Sequence, residues 1–146
     1  MEPSLNLGVI GLGKGQSHLQ GYSNHPEANI RAVCDIDKGK LKQTLEEHNR
    51  AEGFTDYHRL LELDNLDAVS IALPNNMHAP ASIEAMKNGK HVLCEKPMAL
   101  NAKEAEDMKK CSEKTGKILM LNFNMRFMKT AATVKPITLS EKLGKI

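Results

Sequence analysis

Apolar runs alternate with amphipathic segments from residue 5 to residue 123. Strands are predicted where short apolar runs end at glycine, proline or a polar residue. The predicted strands are Leu5–Ile10, Ile30–Cys34, Ala68–Leu73, His91–Cys94 and Ile118–Phe123. Such nearly all-apolar strands are typical of parallel sheets, which are covered on both faces.

The segments between these strands carry helix signals. Asp56 is a candidate N-cap, and Gly89 and Gly116 are candidate C-caps. The predicted helices are Ser17–Ser23, Lys38–Arg50, a short helix from Asp56 through Leu63, His78–Asn88, and a helix that starts at the capping-box-like Asn101–Glu104 and runs to Thr115. Alternating strands and helices predict right-handed crossovers and an α/β fold with a doubly wound, mostly parallel sheet.

The alternation ends after Phe123. Residues 124–136 have no clear period, and Thr138–Glu141 could start a last short helix through a capping box. We therefore expect this stretch to be a linker rather than part of the sheet.

Composition narrows the function classes. A chain of 146 residues can form one domain with a real core, and a net charge of +2 lacks the basic excess of nucleic-acid binders. No apolar run has the length of a membrane span, and no secretion signal is evident. The separated Cys34, Cys94 and Cys111 favour reduced, buried thiols in a cytoplasmic protein over disulfides or a metal site.

A glycine-rich turn follows the first strand. Gly11, Gly13 and Gly15 would let the backbone turn tightly and approach a pyrophosphate at a helix N-terminus, and Lys14 lies among them. The third glycine falls one place early, with Gln16 in its usual position. The alternative is an ordinary tight turn between a strand and a helix.

Asp35 ends the second predicted strand. A carboxylate there accepts hydrogen bonds from the adenosine ribose and repels a 2′-phosphate, which favours NAD over NADP. Lys14, Lys38 and Lys40 are close enough in sequence to leave NADP possible. The alternative for Asp35 is a helix N-cap, although Asp37 is the better candidate for that role.

Polar residues also follow the third strand. Pro74 would stop strand pairing, and the Asn75 amide offers a donor and an acceptor to a ribose or a carboxamide. His78 opens a helix and could be a surface residue. Taken singly, each of these three is more often structural than functional.

Glu95-Lys96-Pro97 follows the fourth strand, at the sheet edge where ligands bind in open α/β sheets. Pro97 restricts Lys96 to extended geometry, and a lysine there can donate or accept a proton during hydride transfer. A cis bond before Pro97 would aim Lys96 into the cleft. The alternative is a solvated loop lysine.

Asn124-Met125-Arg126-Phe127 follows the fifth strand. Arg126 could clamp an anionic substrate or pair with a carboxylate. A surface arginine at a domain edge is the equal alternative.

These motifs together resemble the Gfo/Idh/MocA oxidoreductases. The resemblance covers nearly the whole chain, and it rests on Gly11–Gly13 with His18, Cys34–Asp37, Pro74-Asn75 with His78, Gly89–Pro97, and Asn124–Phe127. It implies a nicotinamide-binding Rossmann domain that acts on sugars, polyols or related carbonyl compounds. It also implies that Lys96 is catalytic, that Pro97 shapes its loop, that Asp35 faces the ribose, and that Asn75, His78, Glu95 and Asn124 lie around the cofactor.

Family members carry a second α/β domain with substrate contacts, a catalytic histidine and the oligomer interface. We therefore expect residues 1–123 to be the dinucleotide-binding domain and residues 124–146 to be a linker and the start of an absent C-terminal domain. The isolated chain would be inactive and the full-length form a homo-oligomer. The alternatives are a stand-alone nucleotide-binding module or NAD sensor, and a coenzyme A-binding domain, which Asp35 disfavours. One departure from the common family form is a glycine loop one residue shorter before His18.

Overall fold

A single parallel sheet forms the centre of the protein. The computed structural model describes residues 5–140 and Gly144, and within them six strands pair in the order β3-β2-β1-β4-β5-β6. The strands are β1 Leu5–Ile10, β2 Ala28–Cys34, β3 Glu52–Phe54, β4 Ala68–Ile71, β5 His91–Cys94 and β6 Leu119–Leu121. The described pairings are all parallel, and the order reverses at β1. The predicted doubly wound α/β fold is confirmed.

Helices cover both faces of this sheet. They are α1 Gly15–Ser23, α2 Lys38–Glu47, α3 Tyr57–Leu61, α4 His78–Lys87 and α5 Ala102–Thr115. A sixth helix, α6 Lys129–Leu139, follows β6 and buries none of its residues. Leu19 of α1 and Leu41 of α2 pack on Val9 and Val33 in one apolar layer. The other layer joins α3, α4 and α5 to the opposite face through the buried residues Leu60, Met86, Met108, Ile71 and Val92.

Helix ends follow the predicted capping residues. Asp56 Oδ1 accepts a hydrogen bond from the His58 backbone N–H, and Asn101 Oδ1 accepts one from Glu104. Gly89 and Gly116 have φ of +78° and +67°, the left-handed geometry of a helix C-terminus. These cap predictions are confirmed.

The strand β3 was not predicted from the sequence. The helix predicted to reach Arg50 ends at Glu47, and the chain then turns into this three-residue strand. A Cβ atom on Gly53 would lie 2.5 Å from Leu45 Cδ1, so the glycine lets α2 pack closely over β3. A short edge strand that contains glycine shows no hydrophobic alternation, so pattern reading could not find it.

The region after β6 is more regular than predicted. Residues Asn124–Phe127 form a 3-10 helix, and α6 occupies most of the stretch that lacked a clear period. Pro136 and three threonines weaken the helix signal of α6. The predicted helix start at Thr138 is wrong, because Thr138 lies in the last turn of α6 and Ser140 is extended; Glu141 lies outside the described residues.

The cysteines are free thiols. Cys34 and Cys94 are buried as predicted, and Cys111 is half-buried. Burial raises the pKa of Cys34 to about 12, with Asp35 and Asp56 adding to the effect, and burial raises the pKa of Cys94 to about 11. Because the thiolate is the reactive form of cysteine, these two buried thiols are expected to be poor nucleophiles at neutral pH.

Two further features concern only the described part of the chain. No helix in residues 5–140 combines the length and the apolar character needed to cross a bilayer. Over the same residues, no three His, Cys, Asp or Glu side chains are grouped so that they could hold a metal ion.

Candidate cofactor and catalytic site

Most of the predicted site residues lie along one edge of the sheet. Asp35 follows β2, Gly11 follows β1, Pro74 follows β4 and Lys96 follows β5. Because the strand order is β2-β1-β4-β5, these residues form a row at the carboxyl ends of adjacent strands. Pro74 and Asn75 are exposed there, and Asn75 begins a 3-10 helix that leads into α4.

The glycine turn has a strict steric requirement at its first position. Gly11 has φ +92°, and a Cβ atom there would lie 2.5 Å from the Ala72 carbonyl oxygen. Gly15 begins α1, where a Cβ would lie 2.7 Å from Val9 Cγ1. Gly15 therefore supplies the close helix–strand packing, one place earlier than usual, and Gln16 instead donates to Thr44 Oγ1 on α2 at 2.8 Å.

The N-terminus of α1 is open to an anion. Gly13 and Lys14 are exposed, and nothing lies within 4 Å of a Cβ built on Gly13. Lys14 is the N-cap residue and caps the helix with no side-chain hydrogen bond. Since the first N–H groups of a helix have no intrahelical partner, this turn fits a pyrophosphate.

Asp35 ties the glycine turn to the end of β2. Its Oδ2 accepts a hydrogen bond from the Leu12 N–H at 2.7 Å, and its Oδ1 accepts one from the Asp37 N–H at 2.8 Å. Asp37, as expected, is the N-cap of α2 and accepts from Gly39 and Lys40. The N-cap alternative for Asp35 is wrong, and each of its oxygens keeps a second acceptor site for a ribose hydroxyl.

A cavity of about 370 Å³ adjoins Asp35 and Gly11. Residues 55–58 form one wall of this cavity. The helix that starts there was predicted, but its place beside Asp35 was missed, because it follows the unpredicted strand β3. The His58 ring lies against Tyr57, with ring centroids 4.1 Å apart. Its Nδ1 is 2.6 Å from Glu84 Oε1, and this hydrogen-bonded carboxylate raises the pKa of His58.

The Lys96 turn projects from the end of β5. The Lys96–Pro97 bond is cis, as predicted, and both residues are exposed. His78 is only 1% exposed, so its interpretation as a surface residue is wrong. Its Nδ1 lies 2.6 Å from the Pro97 carbonyl oxygen and its Nε2 lies 2.9 Å from the Leu73 carbonyl oxygen.

Glu95 turns away from solvent beside this lysine. Its Oε1 lies 3.1 Å from His18 Nε2 and accepts from Asn122 Nδ2 at 2.7 Å, while its Oε2 accepts from the Lys96 backbone N–H at 3.2 Å. Burial alone would raise the pKa of Glu95, but hydrogen bonds from Asn122, His18 and Lys96 outweigh it and hold the pKa below its ordinary value. Asn122 was missed; the only sequence signal was a polar residue at the end of a strand.

Asn124 and Arg126 lie on other surfaces. Asn124 borders a cavity of about 550 Å³ on the α1 side of the sheet, together with His18 and Asn122. Arg126 borders a groove of about 640 Å³ along β6. Neither cavity is lined by Gly11, Asp35 or Lys96. Asn124 and Arg126 therefore lie apart from the row of predicted site residues.

The carboxylate of Glu95 should make stability depend on pH. Because its folded-state pKa lies below the ordinary 4.5, the ionised group stabilises the fold above that pH, and the contribution is lost as pH falls through the folded-state pKa. Glu95→Gln should cost about 1–3 kcal/mol of unfolding free energy at neutral pH and progressively less toward about pH 3.

Urea unfolding at several pH values measures this difference. Glu113→Gln is the matched control, since Glu113 is exposed on α5 and pairs with Lys109 at the surface. A Glu95→Gln penalty that stays constant from neutral to acidic pH would contradict the ionised assignment.

Known proteins match this chain over nearly its whole length. Residues 5–123 match the family described as an oxidoreductase family with an NAD-binding Rossmann fold. The chain is 32% identical to myo-inositol 2-dehydrogenase of Thermotoga maritima over 97% of its own length and 42% of the relative's. It is 39% identical to scyllo-inositol 2-dehydrogenase (NADP(+)) of Bacillus subtilis over 75% of the chain and 34% of that relative.

A solved structure agrees with the fold. The WlbA dehydrogenase of Chromobacterium violaceum, in complex with NADH and UDP-GlcNAcA, superposes with a TM-score of 0.90 at 27% identity, and the match covers 100% of this chain and 43% of that one. The chain thus spans less than half the length of the relatives it matches. With the family match covering well over half of the chain, the protein belongs to the Gfo/Idh/MocA oxidoreductase family and carries its NAD-binding Rossmann fold.

Proposed function

We propose that this chain is the cofactor-binding portion of a dehydrogenase that moves a hydride between a nicotinamide dinucleotide and a sugar, polyol or related hydroxy or carbonyl compound. The observation that carries the proposal is the row of Asp35, the glycine turn and the Lys96 turn along one sheet edge. The names of the inositol dehydrogenase relatives support the substrate class. The bound dinucleotide would supply the hydride acceptor or donor.

Each part of the edge has a separate task. Gly11, Gly13, Lys14 and Gly15 with the α1 N-terminus would hold the pyrophosphate, because Gly13 and Lys14 are exposed and nothing lies within 4 Å of a Cβ built on Gly13. Asp35 would accept hydrogen bonds from the adenosine ribose, with the adenine in the adjoining cavity.

The nicotinamide end would lie farther along the row. Pro74 and Asn75 at the end of β4 would border the nicotinamide ribose. Lys96 is exposed and immediately precedes Pro97. It would donate or accept the proton at the substrate oxygen whose carbon gains or loses the hydride. Asn124 and Arg126 would serve cofactor and substrate only if the chain beyond them rearranged around the site.

The domain boundary follows from the same reasoning. We propose that residues 1–123 are the dinucleotide-binding domain and residues 124–146 lead toward the part by which the relatives are longer. Val134, Ile137 and Leu139 of α6 are exposed, which suits a linker element that packs on another domain. That domain would supply the substrate wall and the homo-oligomer contacts, and the buried reduced thiols favour a cytoplasmic protein.

A non-catalytic nucleotide-binding module or NAD sensor is the second candidate. The observation that favours it is the exposure of Lys96, which borders none of the three cavities described above. Such a module would share the cofactor site and lack the substrate wall.

Two glycine substitutions separate fold from cofactor binding. Gly11→Ala should destabilise the chain by about 1–3 kcal/mol, because φ is positive and the added Cβ meets Ala72. Gly13→Ala should leave the melting temperature nearly unchanged yet weaken NAD binding about tenfold, equivalent to about 1.4 kcal/mol. Calorimetry and thermal melts measure both, with Gly21→Ala on α1 as the control. Unchanged NAD affinity in Gly13→Ala would remove the pyrophosphate assignment.

Cofactor preference tests Asp35. The chain should bind NAD(H) more tightly than NADP(H), because the Asp35 carboxylate would meet a 2′-phosphate with like charge. Asp35→Ser should narrow the preference, whereas Asp107→Ser on the exposed face of α5 should not change it. Calorimetry with both cofactors decides the matter, and tighter NADP(H) binding by the unaltered chain would show that a nearby lysine dominates.

Turnover tests the role of Lys96. The 146-residue chain should bind cofactor but reduce NAD poorly with a panel of sugars and polyols, because holding substrate against the hydride carrier supplies on the order of 7–11 kcal/mol in favourable cases. Lys96→Ala should leave its cofactor affinity within about twofold and cripple a longer, two-domain form, with Lys109→Ala as the control. Robust turnover by the short chain, lost in Lys96→Ala, would mean that residues 124–146 or a second copy complete the site.

A further inference from the structure

We propose that His78 and the group formed by Glu95, His18 and Asn122 are positioning residues that hold the Lys96 turn from opposite faces of the sheet, and that neither His78 nor Glu95 contacts the cofactor. The inference rests on the proposed role of Lys96. It changes the assignment of His78 and Glu95, which the family resemblance placed around the cofactor.

His78 contacts the Lys96 turn from the α4 side of the sheet. It is the first residue of α4, whose apolar side chains belong to the layer that contains Met86. Its ring spans from the Leu73 carbonyl, just past β4, to the Pro97 carbonyl, immediately after Lys96. Whichever ring nitrogen carries the proton can donate to the carbonyl beside it, so the ring connects the end of β4 with the far side of the turn.

Glu95 anchors the turn from the α1 side. His18 belongs to α1, whose Leu19 packs in the opposite apolar layer. The Glu95 carboxylate accepts hydrogen bonds from the Asn122 amide and from the backbone N–H of Lys96, and it lies 3.1 Å from His18 Nε2. The residue before Lys96 is therefore fixed to α1 and to the end of β6, on the face of the sheet away from His78.

Burial separates these residues from a cofactor-binding role. His78 is 1% exposed and both of its ring nitrogens already face protein carbonyls, while Glu95 is 9% exposed. Lys96, between these two anchors, is exposed. The structure thus fixes the backbone on both sides of Lys96 and leaves only its side chain free to reach a substrate.

We expect the two anchors to affect the position of the Lys96 side chain rather than the affinity for the cofactor. A proton-transfer group works when its donor atom is held within hydrogen-bond reach of the reacting oxygen, and small displacements cost rate. Loss of either anchor would let the Lys96 ammonium sample more positions. Cofactor affinity would change little, because the glycine turn and Asp35 lie on other strands.

Trace labelling with acetic anhydride tests this in the 146-residue chain. The labelling rate of each lysine is read by mass spectrometry across a pH series, and the rate at Lys96 is expressed relative to exposed Lys103 in the same molecule. The variants are His78→Leu, which removes both ring contacts, His78→Asn, which keeps a donor near the Nδ1 position, and Glu95→Gln. His25→Leu and Glu113→Gln are exposed controls, and NAD affinity is measured for every variant by calorimetry.

The expected result is specific to one lysine. His78→Leu and Glu95→Gln should change the relative labelling rate of Lys96 by at least about threefold, beyond the effect of an ordinary surface substitution, while NAD affinity stays within about twofold. His78→Asn should return the Lys96 rate toward that of the unaltered chain. Should His78→Leu fail to fold, His78→Asn and Glu95→Gln still give the comparison.

Three outcomes would overturn the proposal. One is an unchanged Lys96 rate in all variants. Another is an unchanged Lys96 rate with NAD affinity reduced more than about tenfold, which would make these residues cofactor ligands. The third is a parallel change at every lysine, which would indicate general loosening of the fold. Failure of the unaltered chain to bind NAD would remove the proposed function instead, and the labelling comparison would still decide whether the anchors hold Lys96.

Discussion

Backbone hydrogen bonds at the carboxyl ends of the strands are the constraint on which the candidate site depends. Just past the strands, Gly11 donates to the Cys34 carbonyl, Glu95 donates to the Ile71 carbonyl and Asn122 donates to the Cys94 carbonyl, each at 2.8–2.9 Å. Parallel pairing thus continues one residue into the loops. The loops therefore keep the spacing of the strands. Backbone hydrogen bonds alone bring the glycine turn, the Lys96 turn and Asn122 to the same edge of the sheet.

Buried and half-buried polar side chains then join the loops at this edge. Asp35, His78 and Glu95 each take hydrogen bonds from, or give them to, neighbouring loops, which offsets the cost of removing them from water. Lys96 and Gly13 remain exposed between them. The arrangement is that of a rigid frame with a small number of open positions, which is what a site for a ligand and a proton-transfer group requires.

The two ends of the row differ in character. At the Asp35 end a cavity is already walled by the segment after β3, which includes His58. At the Lys96 end the lysine faces outward without such a wall, and the apolar side chains of α6 are largely exposed. Under the assignment proposed above, the adenosine side is already walled and the nicotinamide side is open, in keeping with a chain that spans less than half the length of its relatives.

Local signals in the sequence determined most of the secondary structure. The apolar runs gave β1, β4, β5 and β6 to within two residues, and capping residues such as Asn101 and Gly116 marked helix ends because their hydrogen bonds reach only a few residues. The glycine turn, Asp35 and the Lys96–Pro97 turn could be predicted from the sequence because each is a short motif directly after an apolar run.

Only the tertiary structure decided the contacts that join distant segments. The short strand β3 exists because β2 pairs with it, and Gly15 replaces the usual third glycine because Val9 lies beneath it. His18 and Asn122 are 104 residues apart in sequence and meet at Glu95 because β6 pairs with β5 and α1 packs on that side of the sheet. Such contacts are fixed by strand order and by the close packing of helix on sheet, and a linear pattern of polar and apolar residues does not contain that order.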